Sequence, residues 1–258
     1  MEVCALASGS SGNCFYIGNE KGGLLIDAGI SAKQIYLRME QRGLKPKHVK
    51  GIFVTHEHTD HVRGIDVFTR RFSVPVFATR KTAQACLLCS NTKMIRTIKN
   101  DEVLKLAGLE IEAFVKFHDA IDPVSYTLRE VHRKKNVTVL TDVGHACKRV
   151  QEQVADADFL FLESNHDEQM LKEGSYPEEL KRLILSDVGH LSNQQAGLCV
   201  LEHASPRLRQ VVLSHLSQQN NTPQLALKTF QKLIKERSDL HLQTSLSVRE
   251  EATQVWRL

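Results

Sequence analysis

Apolar positions along this chain fall in short blocks of strand length, and several blocks end on a residue able to bind a metal. Residues 3–7 and 14–17 read as two strands around a tight loop, Ser8-Gly9-Ser10-Ser11-Gly12-Asn13. Residues 24–26 form a buried strand that stops at Asp27. Ser31 is a fitting N-cap for a helix whose Ile35, Leu37 and Met39 run toward Gly43, a natural stop. Residues 51–55 are another buried strand, with His56 directly after it. A short strand at 74–78 precedes a helix from about 81 to 89. The middle of the chain is strand-rich, with blocks at 94–98, 103–106, 109–117, 125–130 and 137–140. Helices near 148–155, 169, 177–185 and 193–202 then alternate with strands at 159–162 and 211–213. A helix over 223–236 carries Pro223 in its first turn and Leu225, Leu227, Phe230, Leu233 and Ile234 at helical spacing. Two short strands close the chain. Strand-rich halves with interspersed helices predict an α/β protein of packed sheets with helices outside. No linker, low-complexity tract or internal period interrupts the pattern, so one domain is expected over residues 1–258.

Composition narrows this picture only a little. A chain of 258 residues can bury a core without staples. No apolar run reaches the length of a membrane span. Residues 1–7 carry no basic leader, so a cytoplasmic protein is expected, without membrane contact. The six cysteines show no disulfide rhythm and read as free thiols, and Cys86-x-x-Cys89 has no second pair to complete a metal site. A net charge of +4 permits an anionic substrate without demanding one. The twelve histidines say more, because most lie close to an Asp, a Glu or another His.

The strongest local signal is Thr55-His56-Glu57-His58-Thr59-Asp60-His61, three histidines and an aspartate directly after a buried strand. Side chains that diverge from such a loop can converge on two neighbouring points. Neutral imidazole and carboxylate are good ligands for zinc and related first-row ions. The same grammar recurs downstream. Asp27 follows Leu-Leu-Ile, His118 follows Phe-Val-Lys-Phe, Asp142 follows Val-Thr-Val-Leu-Thr, and His215 follows Val-Val-Leu-Ser. Any one of these reads as a structural residue by itself; together with the His56 loop they form a coherent dinuclear set.

This pattern resembles the metallo-β-lactamase fold superfamily, through H-x-H-x-D-H, the upstream Leu-Ile-Asp-Ala-Gly, and His118, Asp142 and His215. More narrowly, several segments resemble the YycJ/WalJ family. They are residues 6–13, Thr55-His56-Glu57-His58, His118-Asp119-Ala120 with Asp122-Pro123-Val124, Glu163-Ser164-Asn165-His166-Asp167, Gly189-His190-Leu191-Ser192-Asn193 and Leu213-Ser214-His215-Leu216-Ser217. The resemblance implies a four-layer αββα sandwich and two divalent ions, zinc first, with manganese or iron as alternatives. It implies that His56, His58 and His118 hold one ion, that Asp60, His61 and His215 hold the other, and that Asp142 bridges them. It implies that Asp27 supports the His loop by hydrogen bonding. It also implies a DNA exonuclease, linked to mismatch repair, in which a metal-activated hydroxide attacks phosphorus, with Asp60 in the catalytic set.

Other residues are candidates for holding substrate. By analogy with phosphodiesterases of the superfamily, His190 is assigned to the phosphate or the leaving group; the alternative is a structural histidine in a helix-capping loop that includes Ser192. Asn165 and His166 occupy a strand end, and His145 lies three residues after Asp142. The loop carrying Ser10 and Asn13 is either a flexible turn or an anion-binding nest of backbone N–H groups. Basic residues such as Arg63, Arg70, Arg71 and Arg96, and the run His132-Arg133-Lys134-Lys135, can track a nucleic-acid backbone or simply face water. The competing function is a hydrolase of small cyclic phosphates, thioesters or lactones on the same dinuclear site; a non-catalytic module is opposed by the complete ligand set. The short interval between Asp142 and His215 leaves no room for the inserted domain of the RNA-cleaving branch of the superfamily.

Overall fold

The apolar blocks are strands in the computed structural model, which describes all 258 residues. The chain divides into two compact units. One contains Met1–Phe114, Ala120–Lys135 and Val248–Leu258; the other contains Val115–Asp119 and Asn136–Ser247.

In the first unit, β1 (Glu2–Ala7), β2 (Cys14–Asn19), β3 (Gly22–Ile26), β4 (Val49–Phe53), β5 (Val76–Thr79) and β6 (Ile95–Ile98) lie side by side in chain order. The terminal β14 (Trp256–Arg257) flanks β1. The strands from β14 to β3 pair antiparallel, and those from β3 to β6 pair parallel. Parallel pairing requires crossovers, and these are the helices α1 (Ala32–Gln41), α2 (Thr59–Val62), α3 (Ile65–Phe72) and α4 (Arg80–Ala85). Ser31 caps α1 by accepting from the Gln34 N–H. Ile35 and Met39 of α1 and Ile65 and Phe68 of α3 join Leu25, Ile52, Val54 and Val76 in one core. Each such side chain contributes ~1.5–3 kcal/mol by leaving water. The unit also holds β7 (Val103–Leu106), β8 (Leu109–Val115) and β9 (Val124–Glu130), with β7 and β8 antiparallel.

In the second unit, β10 (Lys135–Leu140), β11 (Phe159–Glu163), β12 (Gln210–Ser214) and β13 (Gln243–Leu246) are all parallel. Helices α5 (Lys148–Asp156), α6 (Glu168–Glu173), α7 (Glu178–Ile184), α8 (Asn193–His203) and α9 (Pro223–Ile234) connect them. β11 and β12 are buried along their whole length, which is why they read as unbroken apolar runs. Helix α8 meets α9 at Gly197, where a Cβ would lie 2.4 Å from Leu233 Cδ1.

Several expected boundaries move. The helix expected over 81–89 ends at Ala85, because Cys86 is extended (φ −145°) and turns Leu88 and Cys89 into the core. The strand expected over 109–117 ends at Val115, and the helix expected over 223–236 ends at Ile234. Helices α2 and α3 were not anticipated from the pattern. All six cysteines are free thiols, and no helix is long and apolar enough to cross a membrane.

Candidate metal centre

In both units several of the candidate residues stand at the carboxyl ends of parallel strands, where α/β sheets commonly present their ligand sites. Asp27 follows β3, Asp142 comes two residues after β10, and His215 follows β12. All three adopt left-handed backbone conformations, with φ of 59°, 56° and 56°. A non-glycine residue in that region costs on the order of 1–3 kcal/mol and is held there by its surroundings. The sharp turn lets each side chain leave the pleat of its strand.

In the first unit, the buried Asp27 carboxylate organises the His56 loop. Its Oδ1 accepts from the Thr55 N–H at 2.8 Å, and its Oδ2 accepts from the Thr55 hydroxyl at 2.8 Å and from His61 Nδ1–H at 2.7 Å. Thr55 has one hydroxyl proton and gives it to Asp27. Its Oγ1, 2.9 Å from His56 Nδ1, must therefore accept from that ring. The protons of His56 and His61 are thus fixed on Nδ1, and each Nε2 keeps its electron pair. At His61 the Asn13 amide approaches that Nε2 at 3.1 Å. The rings of His56 and His61 lie 4.0 Å apart and those of His56 and His58 lie 4.6 Å apart. Asp60 and His61 sit in the short helix α2, with Asp60 Oδ2 3.3 Å from His61 Nε2.

The Asp-Ala-Gly turn clamps this loop through the backbone. Ala28 N–H donates to His61 O at 2.8 Å and Asn13 N–H donates to Asp60 O at 2.7 Å. Gly29 is obligatory here, since a Cβ would lie 1.5 Å from the Asp60 carbonyl oxygen. In the Ser8–Asn13 loop, the N–H groups of Ser8, Gly9, Gly12 and Asn13 all have partners within the protein, so they do not form an open nest. Asn13 ties the loop together and reaches Asp60 and His61, whereas Ser10 lies exposed at the tip.

In the second unit, Asp142, Glu163, His190 and His215 each place a ligand-capable atom within 4.8 Å of the others. Glu163, the last residue of β11, is their organiser. Its Oε1 accepts from His215 Nδ1–H at 2.7 Å, His190 Nδ1–H at 2.9 Å and the Asp142 N–H at 3.1 Å. Its Oε2 accepts from the N–H groups of Val143 at 2.9 Å and Leu191 at 3.0 Å. Burial by itself would push this carboxyl up; the facing His190 and His215 rings outweigh it and hold it well below the usual range. His118 donates Nδ1–H to the Gly189 carbonyl at 3.2 Å, and its ring lies 5.1 Å from that of His190. His118, too, therefore keeps an electron pair on Nε2, as His215 does. Histidines neutral at Nε2, with Nδ1 anchored to a carboxylate or carbonyl, are the donors that a divalent ion requires. The residues present fit such an ion in their donor chemistry.

The remaining candidates divide by what their polar groups do. Ser192 caps α8 in a reciprocal box with Gln195 and donates its hydroxyl to Glu168. Asn165 braces the turn after β12, donating Nδ2–H to the His215 carbonyl at 3.0 Å. His145 sets Nδ1 2.9 Å from the Asp187 carbonyl, with its ring 4.7 Å from that of Phe117. His166 is 1% exposed. Among the basic residues, Arg70 pairs with Asp66, Arg71 lies over the Tyr36 ring, and Arg96 donates to the Lys93 carbonyl. His132 and Arg133 line a cavity of about 540 Å³ with Lys21, Lys45 and His48. Those last three residues stand before β3 and β4, at the opposite ends of these strands from Asp27 and His56.

Burial sets a pH dependence. It pushes both His118 and His166 down, from an ordinary value of 6.5 to about 4. Between those values the unfolded chain binds protons that the folded chain refuses, so folding stability rises with pH across that window. Above 6.5 neither ring contributes a slope. The metal-free protein is expected to lose stability from pH 6.5 down through about 4, by at most on the order of 3 kcal/mol for each ring. Thermal unfolding between pH 7 and pH 4 measures this, and a flat melting temperature across the window would refute it.

Glu163 is the residue that sequence reasoning passed over as a site residue. The signal was present, since Glu163 ends the apolar run Phe-Leu-Phe-Leu just as the candidate ligands end theirs.

Comparison with known proteins follows the same lines. A model described as the metallo-beta-lactamase superfamily matches residues 7–123. The chain is 36% identical over 242 residues to Exodeoxyribonuclease YycJ of Bacillus anthracis, covering 92% of this chain and 90% of that protein. It is 37% identical over 232 residues to Exodeoxyribonuclease WalJ of Streptococcus pneumoniae serotype 2, covering 87% of this chain and 84% of that one. The metallo-beta-lactamase fold protein YhfI from Bacillus subtilis shares its architecture, an α/β sandwich, with a TM-score of 0.73 at 13% identity over 98% of both chains.

Proposed function

This chain belongs to the metallo-β-lactamase superfamily and, within it, to the family of YycJ and WalJ, and on that premise we propose that it is a metal-dependent phosphodiesterase that digests DNA from an end. The observation that carries the reading is the set of four imidazoles whose protons are held on Nδ1 by Asp27, Thr55, Gly189 and Glu163. His56, His58 and His118 would hold one divalent ion, Asp60, His61 and His215 the second, and Asp142 would be shared. Zinc is the first candidate, with manganese or iron as alternatives. When bound, the ions supply Lewis-acid activation of water and stabilise charge on the phosphoryl oxygens.

The protein's own groups do the rest. Asp60 orients the attacking water by accepting its hydrogen bond. His190, with Nδ1–H held by Glu163, carries at Nε2 the proton that the leaving oxygen needs, or donates to the phosphate from the same atom. Asn13 steadies Asp60, Asp27 steadies His61, and Asn165 steadies the His215 turn. In this reading the two units work as one hydrolase domain over residues 1–258, in the cytoplasm and in DNA repair.

The test is a side-by-side assay of metal-reconstituted protein on end-labelled single- and double-stranded DNA, RNA and a generic phosphodiester. Stepwise release of nucleotides from a DNA end is expected. The rate at subsaturating DNA should fall as salt rises, because phosphate contacts release counterions. Efficient thioester turnover with no DNA cleavage under any divalent metal would transfer the chain to small-molecule hydrolysis.

A further inference from the structure

The backbone between β8 and His118 alternates in and out of the second unit. Lys116 is 1% exposed, with Nζ donating to the Thr141 carbonyl at 2.6 Å, and His118 is 8% exposed. Phe117 lies between them and points the other way, 44% exposed. It is the one aromatic ring among the large apolar side chains that face solvent; the others in that class are Leu, Ile and Val. Singly exposed apolar side chains are ordinary; this one differs in being an aromatic ring packed against His145, among the turns that carry residues of the candidate centre.

The ring is held in place. His145 packs against it, with centroids 4.7 Å apart and planes 32° from parallel. The Gly144 N–H donates to the Phe117 carbonyl at 2.8 Å, and His145 Nδ1 is anchored on the Asp187 carbonyl at 2.9 Å. The Asp119 N–H donates to the Val188 carbonyl at 2.9 Å, so the turns carrying Phe117, His145 and Val188 are laced together. Each turn also carries a residue of the candidate centre. His118 is next to Phe117, Asp142 lies three residues before His145, and His190 lies two after Val188.

We propose that Phe117, backed by His145, is a stacking platform for an unpaired nucleobase of the DNA strand whose phosphodiester is being cut. The proposal rests on the reading of the chain as a DNA-cleaving enzyme. An exposed, rigidly held ring offers a π-face to any of the four bases, which suits an enzyme that takes successive nucleotides regardless of sequence. The neighbouring side chains of the centre address the phosphate, so the platform and the chemistry divide one nucleotide between them.

The test uses the full-length, metal-loaded protein and two single-stranded oligodeoxynucleotides. They are identical except that the terminal nucleotides of one are abasic. Wild-type protein is assayed first; if it cleaves neither oligonucleotide, the functional reading fails and the platform fails with it. Given cleavage, Phe117→Ala should raise KM for the intact strand about tenfold, equivalent to 1.4 kcal/mol. KM for the abasic strand should not move, and Phe117→Trp should restore the intact-strand value. Metal content equal to wild type shows that the neighbouring His118 is undisturbed. If Phe117→Ala leaves KM for the intact strand unchanged, or raises it equally for both strands, the platform is overturned while the DNA-cleaving activity stands.

Discussion

Asp142→Ala is expected to lose bound metal and bring hydrolysis to background, whereas His190→Ala keeps its metal and slows turnover by ~10²–10⁴-fold. The two residues are neighbours, with Asp142 Oδ1 3.9 Å from His190 Nδ1, so distance does not separate their roles. Their anchoring does. Asp142 Oδ1 also lies 3.3 Å from His215 Nδ1 and 3.8 Å from His118 Nε2, which puts one carboxylate among three imidazoles. Removing it deletes an anionic donor that two cations would share. His190 stands at the edge of the set, its Nδ1–H held by Glu163 and its ring partly open to solvent. Its loss removes a proton donor and leaves the other donors in place. Metal analysis after reconstitution, beside a DNA-hydrolysis assay, distinguishes the two outcomes. Two equivalents are expected for wild type and for His190→Ala. Metal lost from His190→Ala would make that residue a ligand and overturn the assignment; full metal in Asp142→Ala would overturn the bridge.

Glu163→Gln should be nearly as damaging, although it leaves in place every residue assigned above to an ion. The Glu163 carboxylate faces donors on both oxygens, three at Oε1 and two at Oε2. A glutamine must turn its NH₂ toward one side or the other, so at least two buried N–H groups lose their acceptor. The milder orientation keeps the carbonyl toward the histidines and abandons the N–H groups of Val143 and Leu191. At ~1–3 kcal/mol for each unsatisfied buried group, the folded state should lose roughly 2–6 kcal/mol. His190 and His215 would also lose the negative charge that holds their Nδ1 protons. Mutation of such outer partners typically costs ~10–100-fold in metal affinity or activity, and that range is expected here. Thermal unfolding and a competitive metal-chelator titration read the two effects. Wild-type values in both would show that the hydrogen-bond hub does not organise the centre.

Much of this centre is legible in the linear order of residues. An apolar block followed by a histidine or carboxylate is a local pattern, and it picks out Asp27, His56, His118, Asp142 and His215 without any knowledge of strand order. It works because a strand's carboxyl end is where its backbone pairing stops and a polar side chain can leave the sheet. The cap of α1 is legible too, since Ser31 accepts from an N–H group three residues along the chain. Helix α3 was missed although Ile65, Phe68 and Phe72 carry its period, because the ligand-rich loop before it reads as irregular chain. Tertiary structure alone decided which ring nitrogen carries each proton. That choice depends on acceptors far away in sequence: Glu163 lies 52 positions from His215, Gly189 71 positions from His118, and Asp27 34 positions from His61. A strand reading of Phe-Val-Lys-Phe implies alternation, but that Lys116 turns inward and Phe117 outward is invisible beforehand, since the polarity of the two side chains predicts the reverse. Residue order sets what each strand end can offer chemically. Strand order and the left-handed turns at Asp27, Asp142 and His215 decide what each offer meets, because hydrogen bonds form between neighbours in space.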